Sequence, residues 1–230
     1  MILLLKPRNL VDKPGFCVSP TKNKIYYCSK IINPRQVTEK NSESPEIEPL
    51  TRIQVLFAMG ITALVLLAIS KICLLFGVNL LPVTWNLSAL FWGIAIALGI
   101  TTSSAIIYRL WPAYRRSADR YLMLVLTPLL WPDLVWLGLL PGLSEELLFR
   151  GVVLSALGLD TLALIASSIF FGVLHLSGRE QWPYMVWATI VGFVLGYSAL
   201  ATGNLLIPII AHILTNLISS SVWKWEHKGS

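Results

Sequence analysis

From Ile53 to Trp223 the chain is a succession of long apolar runs separated by short polar breaks. A bilayer core about 30 Å thick takes roughly 20 mostly apolar residues in a helix. Ile53–Val78, interrupted only by Lys71, and Leu87–Tyr108, without any charge, both meet that length. Arg109, Arg115, Arg116 and Arg120 follow as a basic loop, whereas the connection at 79–86 is uncharged. The positive-inside rule places the loop at 109–120 and the N-terminus together on the cytoplasmic or stromal face, with two spans between them.

A third apolar stretch, Tyr121–Leu140, contains Pro128, Pro132 and Asp133, which predict a kinked or interrupted span. Pro141-Gly142 then predicts a bend, followed by a helix from Leu143 to about Leu157. That segment is short enough for either a crossing or a buried half-helix. Thr161–Leu176, Trp182–Leu200 and Leu205–Trp223 complete the set, and Trp85, Trp111, Trp182 and Trp223 at span ends suggest an interfacial belt. The expected fold class is all-α: a polytopic helical membrane protein of about six to seven transmembrane helices around a buried polar site. The expected organisation is a leader at 1–50, two spans and a basic loop at 51–120, and a helical core at 121–223.

Composition agrees. Hydrophobic residues are 55% and charged residues 13% of the 230, about half the roughly 25% charge of soluble domains. The net charge of +6 does not point to nucleic acid. Lys6, Arg8, Lys13, Lys22, Lys24, Lys30, Arg35 and Lys40 crowd the first forty residues against only Asp12 and Glu39, and no basic stripe runs through the body. The expected partners are the lipid bilayer and a peptide or membrane-protein substrate, with no nucleic acid. Residues 1–50, basic, acid-poor until residue 39 and without a helical apolar period, resemble an organellar transit peptide with a polar linker. This favours a plastid membrane, with a bacterial plasma membrane or the endoplasmic reticulum as alternatives. Three cysteines without a CxxC define no disulfide framework.

Ionisable groups within the later apolar runs need an explanation, since each costs roughly 2.5–3.5 kcal/mol or more at the centre of a membrane helix. Glu145 and Glu146 are adjacent, so they point about 100° apart on a helix and require different roles. Glu146 precedes Arg150 by four, the favourable order for an ion pair, which leaves Glu145 without a local cation. Phe171 with His175, and His212 with Asn216, share a helix face in otherwise apolar runs. Taken singly, each histidine is most simply a hydrogen-bonded core residue and Glu146–Arg150 a structural pair. Together, a spare carboxylate, two histidines and an asparagine on three helices make a candidate site.

Glu145-Glu146-x-x-x-Arg150, Phe171-x-x-x-His175 and His212-x-x-x-Asn216, in that order, resemble the three motifs of the CPBP family, also called the ABI family, in its plastid or cyanobacterial type. That family comprises type II CAAX prenyl endopeptidases and bacteriocin-processing enzymes, and the resemblance covers roughly residues 120–222. It implies an intramembrane glutamate protease. Glu145 with His175 would activate a water, and His212 with Asn216 would donate to the tetrahedral oxygen. Glu146, Arg150 and Phe171 would support them. No cofactor or metal is expected, although Glu and His could also ligate zinc; no HExxH is present. Gly142-x-Ser144 lacks the final glycine of a serine nucleophile elbow, since Glu146 stands there. A non-catalytic membrane scaffold and a proton-coupled transporter are the alternative functions. Gly192-x-x-x-Gly196 is expected to serve helix packing.

Overall fold

The computed structural model describes residues 16–18, 25–27 and 50–227. A separate unit, Lys6–Pro49, carries an antiparallel strand pair, Phe16–Val18 (β1) with Ile25–Tyr27 (β2), in which Cys17 faces Tyr26 across the ladder. The rest of the expected leader lies outside the described residues. Between residues 50 and 227 every regular element is helical.

The helices are Arg52–Leu75 (α1), Leu87–Leu110 (α2), Pro112–Leu126 (α3), Asp133–Glu146 (α4), Leu154–Ala156 (α5), Thr161–Val173 (α6), Trp182–Thr202 (α7) and Leu206–Glu226 (α8). Local chemistry sets their starts. Thr51 and Gln54 form a reciprocal capping box on α1. Asn86 and Asp160 accept from the N3 amides of α2 and α6. Gly203, at φ 61°, ends α7 in the left-handed region that glycine occupies without penalty.

Among the described residues, Arg52–Leu75, Leu87–Leu110, Arg179–Thr202 and Leu206–Glu226 are long and apolar enough to cross a membrane. A further passage is hidden by its irregularity. α4 continues without interruption through a π-helical segment, Leu147–Val153, into α5. At about 1.5 Å per residue this run is roughly 35 Å long. Its start is tied to the start of α1 by Arg52 and Asp133, and near its far end the Gly151 carbonyl accepts from Leu81 in the α1–α2 loop. α6 then starts the return, and the segment after it reaches α3 through Ser117 and Gln181. Among the described residues the chain therefore passes six times between two ends.

Four expectations are corrected or narrowed by the packing. The basic loop at 109–120 is helical: Arg109 closes α2, Trp111 alone links the helices, and Pro112 opens α3, where a missing N–H costs nothing. Tyr114, Ser117, Ala118, Leu122 and Leu126 of α3 are buried at helical spacing, while Arg116 and Arg120 face outward. Second, of the two readings of Tyr121–Leu140, kinked or interrupted, the interrupted one holds, because the turn around Pro128 and Pro132 separates α3 from α4. Asp133 opens the new helix and accepts from Leu130, Arg52 Nε at 2.7 Å and Arg52 Nη2 at 2.8 Å. Third, Pro141 does not bend the chain into a new helix but lies inside α4. Packing against α8 holds the helix together there: a Cβ on Gly138 would meet Leu217, and one on Gly142 would meet Ile213. Fourth, Trp223 is no belt residue; it is buried in the bundle and stacks on His227 at 4.1 Å. Trp85 and Trp182 are exposed as expected.

The sides of the bundle explain the composition. α1 and α2 expose Phe57, Leu64, Leu75, Leu87 and Phe91 to the surroundings, whereas α8 is the most enclosed of the long helices. Gly93 of α2 sits against Ile207 and Ile210 of α8, so α8 is flanked closely by α2 and α4. Gly192 and Gly196 of α7 face Ser168, Phe171 and Leu164 of α6, which is the packing role expected of them.

Candidate active site

Glu145 and Glu146 lie at the end of α4, Arg150 in the π-helical segment, Phe171 in α6 with His175 just beyond it, and His212 and Asn216 on α8. Adjacent carboxylates on a helix diverge, and their surroundings differ accordingly. The Glu146 side chain is 0% exposed and that of Glu145 16%. Arg150 Nη1 donates to Glu146 Oε1 at 2.8 Å, the i,i+4 pair expected from the spacing. Its Nη2 donates to the Gly192 carbonyl of α7 at 3.0 Å, and the guanidinium sits 4.3 Å from the Phe171 ring centroid. A buried cation is thus matched by a carboxylate, a carbonyl and a π face, which is what burial of charge demands.

The spacing of residues did not reveal that Glu146 serves a second partner. His212 Nδ1 lies 2.7 Å from the same Oε1 that accepts from Arg150. The carboxylate can only accept, so Nδ1 donates and Nε2 is the nitrogen that remains for the site. Nε2 lies 3.9 Å from Glu145 Oε2. His175 is fixed in the same manner: Nδ1 donates to the Phe171 carbonyl at 2.8 Å, and its ring lies 4.6 Å from that of Phe171. Each imidazole is therefore held by one nitrogen.

Glu145, His175, His212 and Asn216 line one small cavity of about 40 Å³, together with Tyr121, Leu137 and Pro141. About 10–15 Å³ suffices for a water, so the space accommodates solvent next to a carboxylate. Glu145 Oε2 and Asn216 Oδ1 are buried without a hydrogen-bond partner among the described residues. The four candidate residues are thus brought together, while Glu146, Arg150 and Phe171 form the layer behind them.

Three features escaped the sequence reading. The π-helical segment begins directly after the paired glutamates; such segments occur often at functional sites. It leaves the Phe149 carbonyl accepting from Ser167 of α6 at 3.1 Å and the Gly151 carbonyl accepting from Leu81. Pro141, read as a bend, lines the cavity itself. Tyr121, delivered by α3, has no signal beyond its position after a run of arginines. Among the described residues, no three His, Cys, Asp or Glu side chains are grouped closely enough to hold a metal ion.

The family model "Type II CAAX prenyl endopeptidase Rce1-like" matches residues 127–218. The matched region contains Glu145, Glu146, Arg150, Phe171, His175, His212 and Asn216. The chain is a polytopic helical membrane protein that, over these residues, is similar to the type II CAAX prenyl endopeptidases. The chain is also similar to uncharacterized protein YpbD of Bacillus subtilis (strain 168), with 26% identity over 142 residues, covering 62% of this chain and 72% of that protein. No solved structure matches. The Bacillus relative gives no support to a plastid or cyanobacterial type.

Proposed function

We propose that the protein is an intramembrane endopeptidase that hydrolyses a peptide bond with a water activated by Glu145 and His175. The observation that carries this reading is the convergence of Glu145, His175, His212 and Asn216 on one small cavity, with Glu146 sealed behind it against Arg150 and His212. A water between the Glu145 carboxylate and the free Nε2 of His175 meets two acceptors. Glu145 takes one proton as the oxygen attacks the substrate carbonyl, and returns it to the leaving amine as the C–N bond breaks. Asn216 donates its side-chain N–H to the tetrahedral oxygen. His212 joins it through Nε2 when the ring carries both protons, with the Glu146 carboxylate at Nδ1 and that of Glu145 3.9 Å from Nε2. Phe171 acts by packing: it supports Arg150 and holds His175 by its carbonyl.

The reaction needs no metal in this scheme. The substrate class is a peptide or membrane-protein segment that reaches the cavity from the bilayer, with a prenylated CAAX tail as the first to test. The plastid membrane remains the proposed location on the strength of the basic, acid-poor leader, with a bacterial plasma membrane or the endoplasmic reticulum as alternatives.

The test is cleavage of a quenched fluorescent peptide with a farnesylated CAAX tail by the purified full chain in detergent. The wild type is expected to cleave it. Glu145→Gln is expected to lose roughly 10²-fold or more in turnover, the scale of general-base catalysis, while melting at the wild-type temperature. Near-wild-type turnover by Glu145→Gln would remove Glu145 from the role of base.

A further inference from the structure

A tetrahedral oxyanion is stabilised by hydrogen-bond donors aimed at it before it forms, so the groups lining the cavity can be sorted by what they offer. Glu145 is an acceptor. His175 has given its one neutral-state N–H to the Phe171 carbonyl, and His212 has given its own to Glu146. In their neutral forms both rings therefore turn a lone pair, not an N–H, to the cavity. Leu137 has an apolar side chain, and Pro141 has no N–H at all. Among the described lining residues, Asn216 and Tyr121 remain as donors.

Tyr121 is well placed for the task. It belongs to α3, which is not among the long apolar helices, and it lies outside the region 127–218 that carries the family match. Its ring stacks on Tyr184 of α7 at 4.9 Å and 25°, and Tyr184 stacks in turn on Tyr114 at 6.4 Å and 7°. Tyr184 also lies 6.2 Å from the His175 ring. A stacked phenol keeps its hydroxyl direction with little rotamer freedom to lose. Tyr121 and Glu145 line the same cavity. α3 itself is anchored beside the site by Ser117, whose hydroxyl donates to Gln181 at 2.6 Å, and by the ion pair of Arg120 with Glu180.

We infer that Tyr121 is a further catalytic residue, donating its phenolic O–H to the tetrahedral oxygen alongside Asn216. This rests on the peptidase reading above. No covalent bond to Tyr121 forms, and its proton stays on the phenol; the hydroxyl hydrogen bond strengthens as charge builds on the substrate oxygen. The contribution does not depend on the charge of His212, so the site keeps two donors even when that ring is neutral.

The experiment compares wild type, Tyr121→Phe and Glu145→Gln on the same farnesylated quenched peptide. Tyr121→Phe is expected to lower kcat by roughly 10- to 10²-fold with KM within about twofold, since the bond is made chiefly in the transition state. Inhibition by the matching peptide aldehyde, whose hydrate carries tetrahedral oxygens, should weaken in proportion, while binding of the cleaved peptide acid stays unchanged. A purely structural role would weaken both ligands together and lower the melting temperature. If Tyr121→Phe fails to fold, p-aminophenylalanine at the same position keeps the ring and an N–H donor and is expected to retain most of the turnover. Wild-type kcat in Tyr121→Phe, with Glu145→Gln inactive, overturns the role of Tyr121 alone. An inactive wild type, or an active Glu145→Gln, overturns the peptidase scheme and this inference with it.

Discussion

Glu146 is a buried carboxylate with two partners, and its energetics differ from those of a surface ion pair. Arg150 is 1% exposed and Glu146 0%, so water can replace neither when the other is lost. Breaking a buried pair by removing one member costs about 3–5 kcal/mol, whereas replacing both by apolar groups of similar volume is often close to neutral. Glu146→Leu and Arg150→Met singly are therefore expected to lower the melting temperature in detergent more than the double variant does; additive losses would show that the two are not coupled. Activity should follow a different rule. The double variant also removes the acceptor of His212 Nδ1, so it is expected to fold yet stay impaired in cleavage.

Water activation by protein groups alone leads to a further expectation for the same residues. Turnover should survive exhaustive dialysis against a strong chelator. Loss of activity restored by near-stoichiometric zinc would instead make Glu145, His175 and His212 ligands.

Between helices, glycine decides how near α4 comes to α8. A Cβ on Gly142 would sit 2.4 Å from Ile213 Cγ1 and 3.1 Å from its backbone nitrogen. The side chain can rotate away but the backbone cannot. Gly142→Ala is expected to destabilise by about 1–3 kcal/mol, as overpacking does. It should also disturb cleavage, because Glu145 on α4 and His212 on α8 lie on either side of this contact. Gly99→Ala on the outward side of α2, where nothing lies within 4 Å, serves as the control and is expected to be neutral or slightly stabilising. Melting curves of the two variants in one detergent decide the matter; equal effects would show that the α4–α8 approach carries no strain.

Across the six passages most of the described cations collect at one end, the exceptions being Lys71 near the far end of α1 and the buried Arg150. Arg52, Arg109, Arg115, Arg116, Arg120, Arg179 and Lys224 all lie on the side where α1 starts and α8 ends, and the loop at 79–86 on the other side is uncharged. The positive-inside rule assigns the cationic side to the cytoplasm or stroma. In a background with Cys17, Cys28 and Cys73 replaced by serine, a membrane-impermeant maleimide added outside sealed vesicles of known orientation should label Arg116→Cys and Asn79→Cys from opposite sides. Labelling of both from one side would refute the assignment. For the leader, residues 1–50 fused to a soluble fluorescent reporter in a plant cell are expected to carry it to the plastid. A diffuse cytosolic reporter would shift the substrate expectation towards prenylated proteins at the endoplasmic reticulum, and leave the chemistry untouched.

Whatever depends on a single helix could be read from the residues in order. Run length and the scarcity of charge identify a helical membrane protein, because the bilayer penalises any unsatisfied or charged group along a span. Helical periodicity brings Glu146 to Arg150 and separates Glu145 from both, because neighbours four apart meet and adjacent residues diverge. What crosses between helices was decided by packing. His212 finds Glu146 across 66 residues of sequence, Arg150 finds the Gly192 carbonyl across 42, and Ser117 finds Gln181 across 64. No periodicity encodes such distances, and so the nitrogen that His212 has left for the cavity stayed invisible. The same holds for Tyr121. Proline 141 misled for a related reason: in isolation it ends a helix, but a neighbouring helix pressed against Gly138 and Gly142 keeps the backbone on course through the lost hydrogen bond.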